Sequence, residues 1–267
     1  MSDWKNKTAL VTGASYGIGE SFGRRLAAEG ANLILTARSV DRLEALAQEL
    51  RSKFKIGVTV VQSDLAQSPD WQKLFDETEG RGQQVDLLIN NAGFGAVGDF
   101  ADLPLDRQLE MIQVNVSALV ALSHLFIQPM LRRRSGAIIQ LASTASFQGV
   151  PYFATYSATK SFILTFSEAL WAECQPFGVR VLAVCPGPTG TQFQSVAGTE
   201  DANRPVKMQT PDEVVEVSLK ALAANRSFVV SGFGNSAMVF FERFIPRETV
   251  TKMALKIYRP FSTRSVE

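Results

Sequence analysis

The feature that most constrains the fold of this chain is a repeated alternation between short apolar runs and longer segments with helical spacing. The run ANLILTA (31–37) is almost wholly apolar, whereas SVDRLEALAQELRSK (39–53) places Leu43, Leu46 and Leu50 on one side of a charged helix. Strands that are apolar on both faces are typical of a parallel sheet that is covered by helices on both sides. The alternation therefore predicts an α/β fold, a doubly wound parallel sheet.

The same pattern continues along most of the chain. It predicts strands at 8–13, 31–37, 58–64, 85–93, 136–143, 179–187 and 227–232, and helices at 17–29, 39–53, 69–79, 106–133, 153–174 and 211–224. Neither a linker rich in Pro, Gly or Ser nor a repeat of 20–50 residues interrupts it. We therefore expect residues 1–267 to form a single-domain, Rossmann-like unit with a C-terminal helical extension at 233–267.

Charge and composition exclude several classes of function. The chain has 27 Lys and Arg against 26 Asp and Glu, so net charge favours neither nucleic acid nor an anionic membrane as a partner. Its two cysteines, Cys174 and Cys185, form no C-x-x-C pair and are expected to be reduced, buried thiols. The only histidine, His124, is interpreted as a packed or interface residue, so we expect neither a metal site nor a histidine-dependent hydrolase.

Two further features concern location. No signal peptide is visible at the N-terminus, and the expected location is cytoplasmic. The longest apolar stretch, 114–131, contains Asn115, Ser117, Ser123, His124 and Gln128, which makes it a poor transmembrane candidate.

A glycine-rich turn is predicted where the first strand meets the first helix. The segment TGASYGIG (12–19) carries Gly13, Gly17 and Gly19. Residues without a Cβ let the backbone approach a pyrophosphate, and the N-terminus of the following helix offers free N–H groups to phosphates. At the first strand–helix junction of a doubly wound sheet, this turn predicts a dinucleotide site.

The end of the second predicted strand bears on the choice of cofactor. An acidic residue about 20 residues after the glycine turn would bind ribose hydroxyls and favour NAD. Here Ala37 and Arg38 occupy that region, and a guanidinium suits a 2′-phosphate. We infer NADP(H), with NAD(H) less favoured; the alternative is that Arg38 is a solvated surface residue of an enzyme that accepts either cofactor.

Several motifs in a fixed order identify a family resemblance. The motifs TGASYGIG, NNAG (90–93), Asn115, Ser143, YSATK (156–160) and PGPTGT (186–191) occur with Ser143 thirteen residues before Tyr156 and Lys160 four residues after it. Together they resemble the short-chain dehydrogenase/reductase family, over residues 8 to 232. The resemblance implies an oxidoreductase that interconverts a carbonyl and a secondary alcohol with a small-molecule substrate.

The resemblance also implies roles for individual residues. Tyr156 would exchange a proton with the substrate oxygen, which Ser143 would hold. Lys160 would bind the nicotinamide ribose, and Asn115 would support a water-linked proton relay to it. Asn90 would touch the cofactor ribose. The further cofactor contacts that it implies are Gly13, Ser15, Tyr16, Gly17, Ile18, Gly19, Arg38, Asp64, Leu65, Asn91, Ala92, Gly93, Tyr156, Lys160, Pro186, Gly187, Thr189 and Thr191. Thr189 stands where the family usually has valine or isoleucine, which we expect to matter little because the backbone makes that contact.

The spacing of Tyr156 and Lys160 suggests how the phenol could be made reactive. Residues four apart on a helix share a face. At about 4 Å and an effective dielectric near 20, an ammonium would stabilise a phenolate by roughly 4 kcal/mol, or about three pKa units. We therefore expect Lys160 to lower the pKa of Tyr156, with the helix dipole acting in the same direction.

The substrate is expected to be hydrophobic. The residues that we expect to face it are mostly apolar or aromatic: Phe94, Ala145, Phe147, Gln148, Phe153 and Phe193. The segment 192–210 resembles the loop that closes over substrate in this family. A 3-oxoacyl thioester reductase and a non-catalytic NADPH-sensing protein are the alternatives.

Two expectations concern surfaces. The tail, 233–267, has helical apolar spacing with interspersed Arg and Lys. It is interpreted either as a basic amphipathic helix that touches a membrane or a partner, or, preferably, as a terminal helix that covers the substrate pocket or contacts a subunit. The helices near 106–133 and 153–174 correspond to those that pair in this family, which implies a homodimer or homotetramer.

Overall fold

The computed structural model describes residues 4–198 and 208–262. The strands are β1 (Thr8–Thr12), β2 (Asn32–Ala37), β3 (Val58–Gln62), β4 (Leu87–Asn90), β5 (Gly136–Leu141), β6 (Val179–Cys185) and β7 (Phe228–Val230). The helices are α1 (Gly17–Ala28), α2 (Val40–Phe54), α3 (Ser68–Asp76), α4 (Leu105–Ile112), α5 (Ala118–Arg133), α6 (Ala154–Cys174), α7 (Phe193–Ala197), α8 (Pro211–Ala223), α9 (Phe233–Glu242) and α10 (Arg247–Tyr258).

The seven strands form one parallel sheet in the order β3-β2-β1-β4-β5-β6-β7. Leu10 in β1 pairs with Ile34 on one side and with Leu88 on the other. The strand order reverses direction between β1 and β4, which opens a crevice at the carboxyl ends of these strands. The predicted doubly wound, Rossmann-like fold is confirmed.

Helices cover the sheet on both faces, which is why the strands are apolar throughout. On one face α1, α2 and α8 pack against alternate strand residues such as Val11 and Leu35. On the other face α3, α5 and α6 pack against the intervening residues, among them Leu10 and Ile34. These four side chains are fully buried. Both faces of each central strand thus contribute to a core, as the near-continuous apolar runs predict.

The predicted helix 106–133 is a continuous helical run with a change of pitch. A π-helical turn, Gln113–Ser117, joins α4 to α5. By length and composition alone, Leu105–Arg133 is apolar enough to cross a membrane, so its polar residues do not remove it as a candidate on that test. Its buried side chains, including Leu122 and Phe126, pack in the core beneath the sheet. Their burial accounts for much of its apolar character.

The glycine turn after β1 is closed by contacts that leave no room for side chains. Gly13 has a φ of 65°, in the left-handed region that favours glycine. A Cβ at Gly19 would lie 2.3 Å from the carbonyl oxygen of Gly13 and 2.5 Å from Nδ2 of Asn91. Asn91 itself donates hydrogen bonds to the carbonyls of Thr12 (2.9 Å) and Gly13 (3.1 Å). Close packing of backbone on backbone therefore sets the shape of the turn.

We predict that Gly19→Ala destabilises the protein by about 1–3 kcal/mol, because the added methyl group must push the backbone of the turn apart. Gly234→Ala is the matched control, since a Cβ at Gly234, within α9, meets nothing within 4 Å. That control should be neutral or stabilising by up to about 1 kcal/mol. Urea unfolding of the two variants measures the difference, and equal stabilities would contradict the packing described for the turn.

Candidate active site

The turn between β1 and α1 presents backbone N–H groups to the crevice. Tyr16, the N-cap residue of α1, forms no side-chain cap, so its side chain satisfies none of the first amides of the helix. Opposite this turn, Cγ2 of Thr191 lies 3.0 Å from where a Cβ of Gly17 would stand. Ser15, Ile18 and the three glycines all lie in this short segment, 12–19. A phosphate cradle bounded by small residues therefore fits the pyrophosphate of a dinucleotide.

The carboxyl end of β2 carries two arginines rather than one. Arg38 follows β2, is 66% exposed and lies 3.8 Å from Glu110. Arg42, one helical turn further along, also lines the open depression next to Arg38 and lies over the Tyr16 ring at 6.0 Å. Sequence reasoning missed Arg42, although its spacing of four from Arg38 could have revealed it. Two guanidinium groups can therefore meet an anionic group at this corner of the crevice.

At the end of β4, Asn91 and Ala92 lie beside the crevice, whereas the side chain of Asn90 points into the core. Asn91 and Ala92 each donate a backbone N–H to Oγ1 of Thr12 at 3.0 Å, which holds this segment beside the glycine turn. Asn90, by contrast, is buried and donates from Nδ2 to Gln140 (2.9 Å) and Ser123 (3.2 Å). The Asn90 side-chain amide therefore joins β4 to β5 and α5, and the implied contact of Asn90 with the cofactor ribose stays a prediction.

The segment that follows β3 forms another edge of the crevice. Oδ1 of Asp64 accepts a hydrogen bond from the backbone N–H of Ala66 at 3.2 Å. The Asp64 N–H donates to Asp70 at 2.6 Å, and the Leu65 carbonyl accepts from the Trp71 indole at 2.9 Å. These bonds fix the path of the backbone where β3 ends, so that both residues lie at the carboxyl edge of the sheet.

The four predicted catalytic residues come from separate elements and lie at one end of the sheet. Ser143 follows β5, Tyr156 and Lys160 lie on α6, and Asn115 lies in the π-helical turn. The Ser143 side chain lies near the phenol of Tyr156 and acts to lower its pKa. Lys160 donates from Nζ to the carbonyl of Leu141 at 2.7 Å, and its Nζ lies 5.7 Å from the centroid of the Tyr156 ring.

Gly93, in the segment after β4, lies next to two residues of this cluster, Asn115 and Lys160. A Cβ at Gly93 would lie 2.9 Å from Oδ1 of Asn115 and 3.6 Å from Nζ of Lys160. Asn115 accepts from the N–H of Phe94 (3.1 Å) and donates to its carbonyl (2.9 Å) and to Thr159 (3.1 Å). A π-helical turn often marks a functional site, and here it brings the Asn115 amide within reach of the backbone.

Burial controls the acidity of Tyr156 and Lys160. Burial raises the pKa of Tyr156 to about 12; the neighbouring Ser143 side chain opposes this shift, and Tyr258 adds to it. Burial also lowers the pKa of the Lys160 ammonium to about 8. The prediction that the pKa of Tyr156 is lowered is therefore wrong, because burial raises it. Desolvation outweighs attraction across this distance, and the ammonium is directed to the Leu141 carbonyl.

The PGPTGT segment after β6 is tied to the C-terminal extension. The Pro186 carbonyl accepts from the N–H of Thr144 at 2.9 Å, and Oγ1 of Thr189 donates to the carbonyl of Gly187 at 2.9 Å. A Cβ at Gly187 would lie 2.3 Å from Nδ2 of Asn235, in α9. Sequence reasoning missed Asn235, which nothing in the sequence connects to this turn.

An aromatic cluster adjoins Tyr156. The Phe193 ring lies 5.3 Å from the Tyr156 ring, and the Phe153 ring lies 5.9 Å from it, centroid to centroid. Phe153 also contacts Tyr258 at 5.7 Å and Phe261 at 6.1 Å. Ala145 packs in the same cluster. The end of the C-terminal extension thus packs on this cluster and adds two rings that the sequence analysis did not name; that it covers a substrate pocket stays a prediction.

Two of the expected pocket residues point elsewhere. Phe147 packs against Phe228 at 6.0 Å and belongs to the core beside β7. Gln148, with its amide nitrogen facing Glu242, donates to that carboxylate at 3.1 Å and to the Thr144 carbonyl at 3.1 Å. Phe94 is buried beneath the Arg107 guanidinium, 3.8 Å from its ring. Of the expected substrate loop 192–210, residues 199–207 lie outside the described part of the chain.

The remaining candidate residues lie outside this cluster. His124 is exposed on α5, 2.9 Å from Gln128, so it is not a packed residue. Cys174 and Cys185 are free and buried, as expected, and burial raises their pKa values to about 11 and about 12. Within residues 4–198 and 208–262, no group of three or more His, Cys, Asp or Glu side chains could hold a metal ion.

The lowered pKa of Lys160 predicts a dependence of stability on pH. Below about pH 8 the folded protein bears the cost of a buried ammonium. Above it the folded state loses this proton while the unfolded chain keeps it up to about pH 10.5, so stability rises with pH. Relative to Lys160→Met, the wild type should gain about 1.5 kcal/mol in unfolding free energy between about pH 8 and about pH 9.5.

Urea unfolding of both proteins across this range measures the gain. The other titrating groups are shared and cancel in the difference. If the difference in unfolding free energy between the wild type and Lys160→Met does not change with pH, the lowered pKa of the buried Lys160 is contradicted.

Comparisons with known proteins agree with this geometry. Residues 7–202 match the family model described as short chain dehydrogenase. A very-long-chain 3-oxoacyl-CoA reductase from Phaeosphaeria nodorum is 38% identical over 185 residues, which cover 66% of this chain but only 53% of that protein. A 3-oxoacyl-acyl-carrier-protein reductase from Aquifex aeolicus is 29% identical over 232 residues, 84% of this chain and 93% of that one.

A solved structure also matches the fold. A short-chain dehydrogenase from Sphingobium yanoikuyae in complex with NADPH is 31% identical, with a TM-score of 0.80, and the match covers 84% of this chain and 87% of that one. The sheet order, the glycine turn and the Ser143–Tyr156–Lys160 cluster are thus accompanied by similarity over most of the chain. The chain belongs to the short-chain dehydrogenase/reductase family, whose members are NAD(P)-dependent oxidoreductases that act on CH–OH and C=O groups.

Proposed function

We propose that this protein is an NADP(H)-dependent reductase that interconverts a hydrophobic carbonyl compound and its secondary alcohol, with Tyr156 as the general acid and base. The observation that carries the proposal is that Ser143, Tyr156 and the buried Lys160 come together at the edge of the dinucleotide crevice, with Nζ of Lys160 5.7 Å from the centroid of the Tyr156 ring. We propose further that residues 1–267 act as one catalytic domain, since all seven described strands belong to one sheet.

Each residue of the cluster has a distinct task in carbonyl reduction. When bound, the dinucleotide supplies the hydride that is added to the carbonyl carbon. Tyr156 gives its phenolic proton to the substrate oxygen; a phenol carries this proton near neutral pH even at its ordinary pKa of about 10. The Ser143 hydroxyl donates to the same oxygen as negative charge develops there. The protein therefore supplies the proton and the orientation.

Lys160 and Asn115 support this reaction from one side of the crevice. The ammonium of Lys160 would hold the nicotinamide ribose and sustain a positive potential next to the phenol. The Asn115 amide fixes the backbone of Phe94, and thereby the segment that borders both Tyr156 and Lys160. In the oxidative direction, the same positive potential would favour the ionised phenol as a base.

The preference for NADP(H) is supported by the corner at Arg38. Arg38 and Arg42 both line the depression at the end of β2, next to the Tyr16 ring. Guanidinium groups match a phosphate in both charge and hydrogen-bond geometry. Glu110, 3.8 Å from Arg38, can hold that side chain at the corner.

Aromatic side chains support a hydrophobic substrate. Phe153, Phe193, Tyr258 and Phe261 surround the approach to Tyr156 with apolar surface. Gly95 lets both rings pack closely on the backbone, because a Cβ there would lie 2.8 Å from Cζ of Phe193 and 3.3 Å from Cδ2 of Tyr156. A 3-oxoacyl thioester reductase is the second candidate, since two relatives carry that activity in their names.

Exposed apolar side chains on two helices favour association between subunits. Leu105 and Leu109 on α4 and Phe162 on α6 are exposed apolar side chains on the helices expected to pair. Removing such surfaces from water is a common reason for association. A homodimer or homotetramer through α4–α6 and a cytoplasmic location remain predictions.

We predict that Tyr156→Phe lowers kcat for carbonyl reduction about a thousandfold, because it removes the proton donor and leaves the ring in place. NADPH binding, measured by fluorescence titration, should change by less than about threefold. Tyr152→Phe, which removes a phenol just before α6, is the matched control and should keep nearly full activity. Assays would follow NADPH absorbance with bulky ketones and with 3-oxoacyl thioesters.

Two outcomes would contradict the proposal. Equal activity of Tyr156→Phe and Tyr152→Phe would remove Tyr156 from the reaction. NADPH binding by the wild type with no turnover of any carbonyl class would favour a cofactor-sensing protein instead.

A further inference from the structure

Helix α9 turns its apolar face toward solvent and its polar face toward the protein. Phe233, Phe240 and Phe241 lie on one side of the helix, since positions seven and eight apart return to the same face. They are exposed by 92%, 54% and 63%, and Phe244, just after the helix, is exposed by 74%. A surface helix of a globular protein normally turns its apolar face inward.

The inward face of α9 is held by polar contacts, so its orientation is specified. Asn235 donates to the Ser231 carbonyl at 2.8 Å, and Ser236 donates to the Val230 carbonyl at 3.1 Å. At the other end, Glu242 accepts from Gln148. Val239 is the buried apolar residue on this side. Rotating the phenylalanines inward would break these bonds.

The exposed rings lie in a segment of the chain, 233–262, that is rich in exposed apolar side chains and in basic residues. Nine of the 17 exposed large apolar side chains in the described residues lie between 233 and 257: Phe233, Met238, Phe240, Phe241, Phe244, Ile245, Met253, Leu255 and Ile257. Residues 233–262 also carry five Arg and Lys against two Glu, a net charge of +3 in a chain whose total is +1. Lys252 and Lys256 are exposed one turn apart on α10, alongside Met253 and Ile257.

We propose that this surface, formed by α9, α10 and the turn between them, docks on an anionic lipid bilayer. Exposed aromatic and aliphatic side chains interspersed with Lys and Arg match the chemistry of the headgroup region, where rings are buried and cations meet lipid phosphates. This inference revises the expectation, drawn from the near-zero net charge, that no anionic membrane is a partner, because the positive charge is concentrated in one segment.

Charge also distinguishes the bilayer from a second copy of the chain. In a two-fold symmetric contact the same surface meets itself, so the basic residues of one copy would face those of the other. Like charges placed together across an interface oppose association. A bilayer that contains anionic lipid offers both an apolar interior and the opposite charge.

The surface adjoins the aromatic cluster. Tyr258 ends α10 and, with Phe261, packs on Phe153 next to Tyr156. Docking would therefore hold this cluster close to lipid, from which an apolar substrate could enter. This consequence rests on the proposed function, whereas the docking itself does not.

The test is sedimentation of the full chain with vesicles of phosphatidylcholine, with and without phosphatidylserine. The wild type should bind the vesicles that contain phosphatidylserine, and added salt should weaken binding. F240Q/F244Q should bind at least about tenfold more weakly, because two rings no longer enter the bilayer. K252Q/K256Q should lose most of the preference for phosphatidylserine. The matched control is F177Q, which alters an exposed phenylalanine outside the surface.

Unchanged thermal unfolding and NADPH binding would establish that each variant is folded. The proposal is overturned if the wild type remains in the supernatant, or if F240Q/F244Q sediments as the wild type does. It is also overturned if light scattering finds an oligomer that F240Q/F244Q dissociates while no vesicle binding occurs, which would assign the surface to a second copy. None of these readouts requires catalysis, so failure of the proposed function would leave the docking result intact.

Discussion

Lys160 places an amine inside the protein, only 6% exposed, where its Nζ donates a 2.7 Å hydrogen bond to the carbonyl of Leu141 at the end of β5. A buried ammonium is costly unless it is hydrogen-bonded, and its surroundings are arranged accordingly. The carbonyl is available because β5 ends there, and Gly93 leaves space beside Nζ. The location of the catalytic cluster thus follows from where the strands of the sheet end.

The same burial sets the state of Tyr156. A phenol that is removed from water keeps its proton, and in the ligand-free protein the neighbouring amine does not reverse this. The phenol therefore holds the proton that the proposed reduction uses. The positive charge of Lys160 matters in both directions of that reaction, because the phenol becomes a phenolate when it gives up its proton in reduction and must be a phenolate to accept one in oxidation.

Much of the fold and the site could be predicted from the sequence because it depends on local patterns. Apolar runs marked the strands, and spacing placed Tyr156 and Lys160 on one helix face. The errors concern long-range packing. Phe147 joined the core near β7, for a reason that lies far away in the sequence, namely its contact with Phe228. The sequence analysis predicted a lowered pKa for Tyr156, whereas the pKa is raised, because the desolvation of the phenol depends on the whole surrounding structure.

The C-terminal extension connects the two proposals. Its buried side touches both Gly187 and the aromatic cluster, through Asn235 and Tyr258, while its outer side carries the exposed phenylalanines. The sequence pattern predicted amphipathic helices in this extension, but it did not reveal that the apolar face of α9 points outward. That reversal follows from the polar contacts that Asn235, Ser236 and Glu242 make with the body of the protein.

The central claim is that Tyr156 is the protonated acid of the active site. The chain has four tyrosines, so ¹³Cζ-tyrosine NMR, with Tyr156→Phe to assign the signal, can follow this phenol through a pH titration. The account predicts that the Tyr156 signal in the ligand-free protein stays that of a neutral phenol well past neutral pH and changes only near pH 12. A Tyr156 signal that is already that of a phenolate at neutral pH would contradict it.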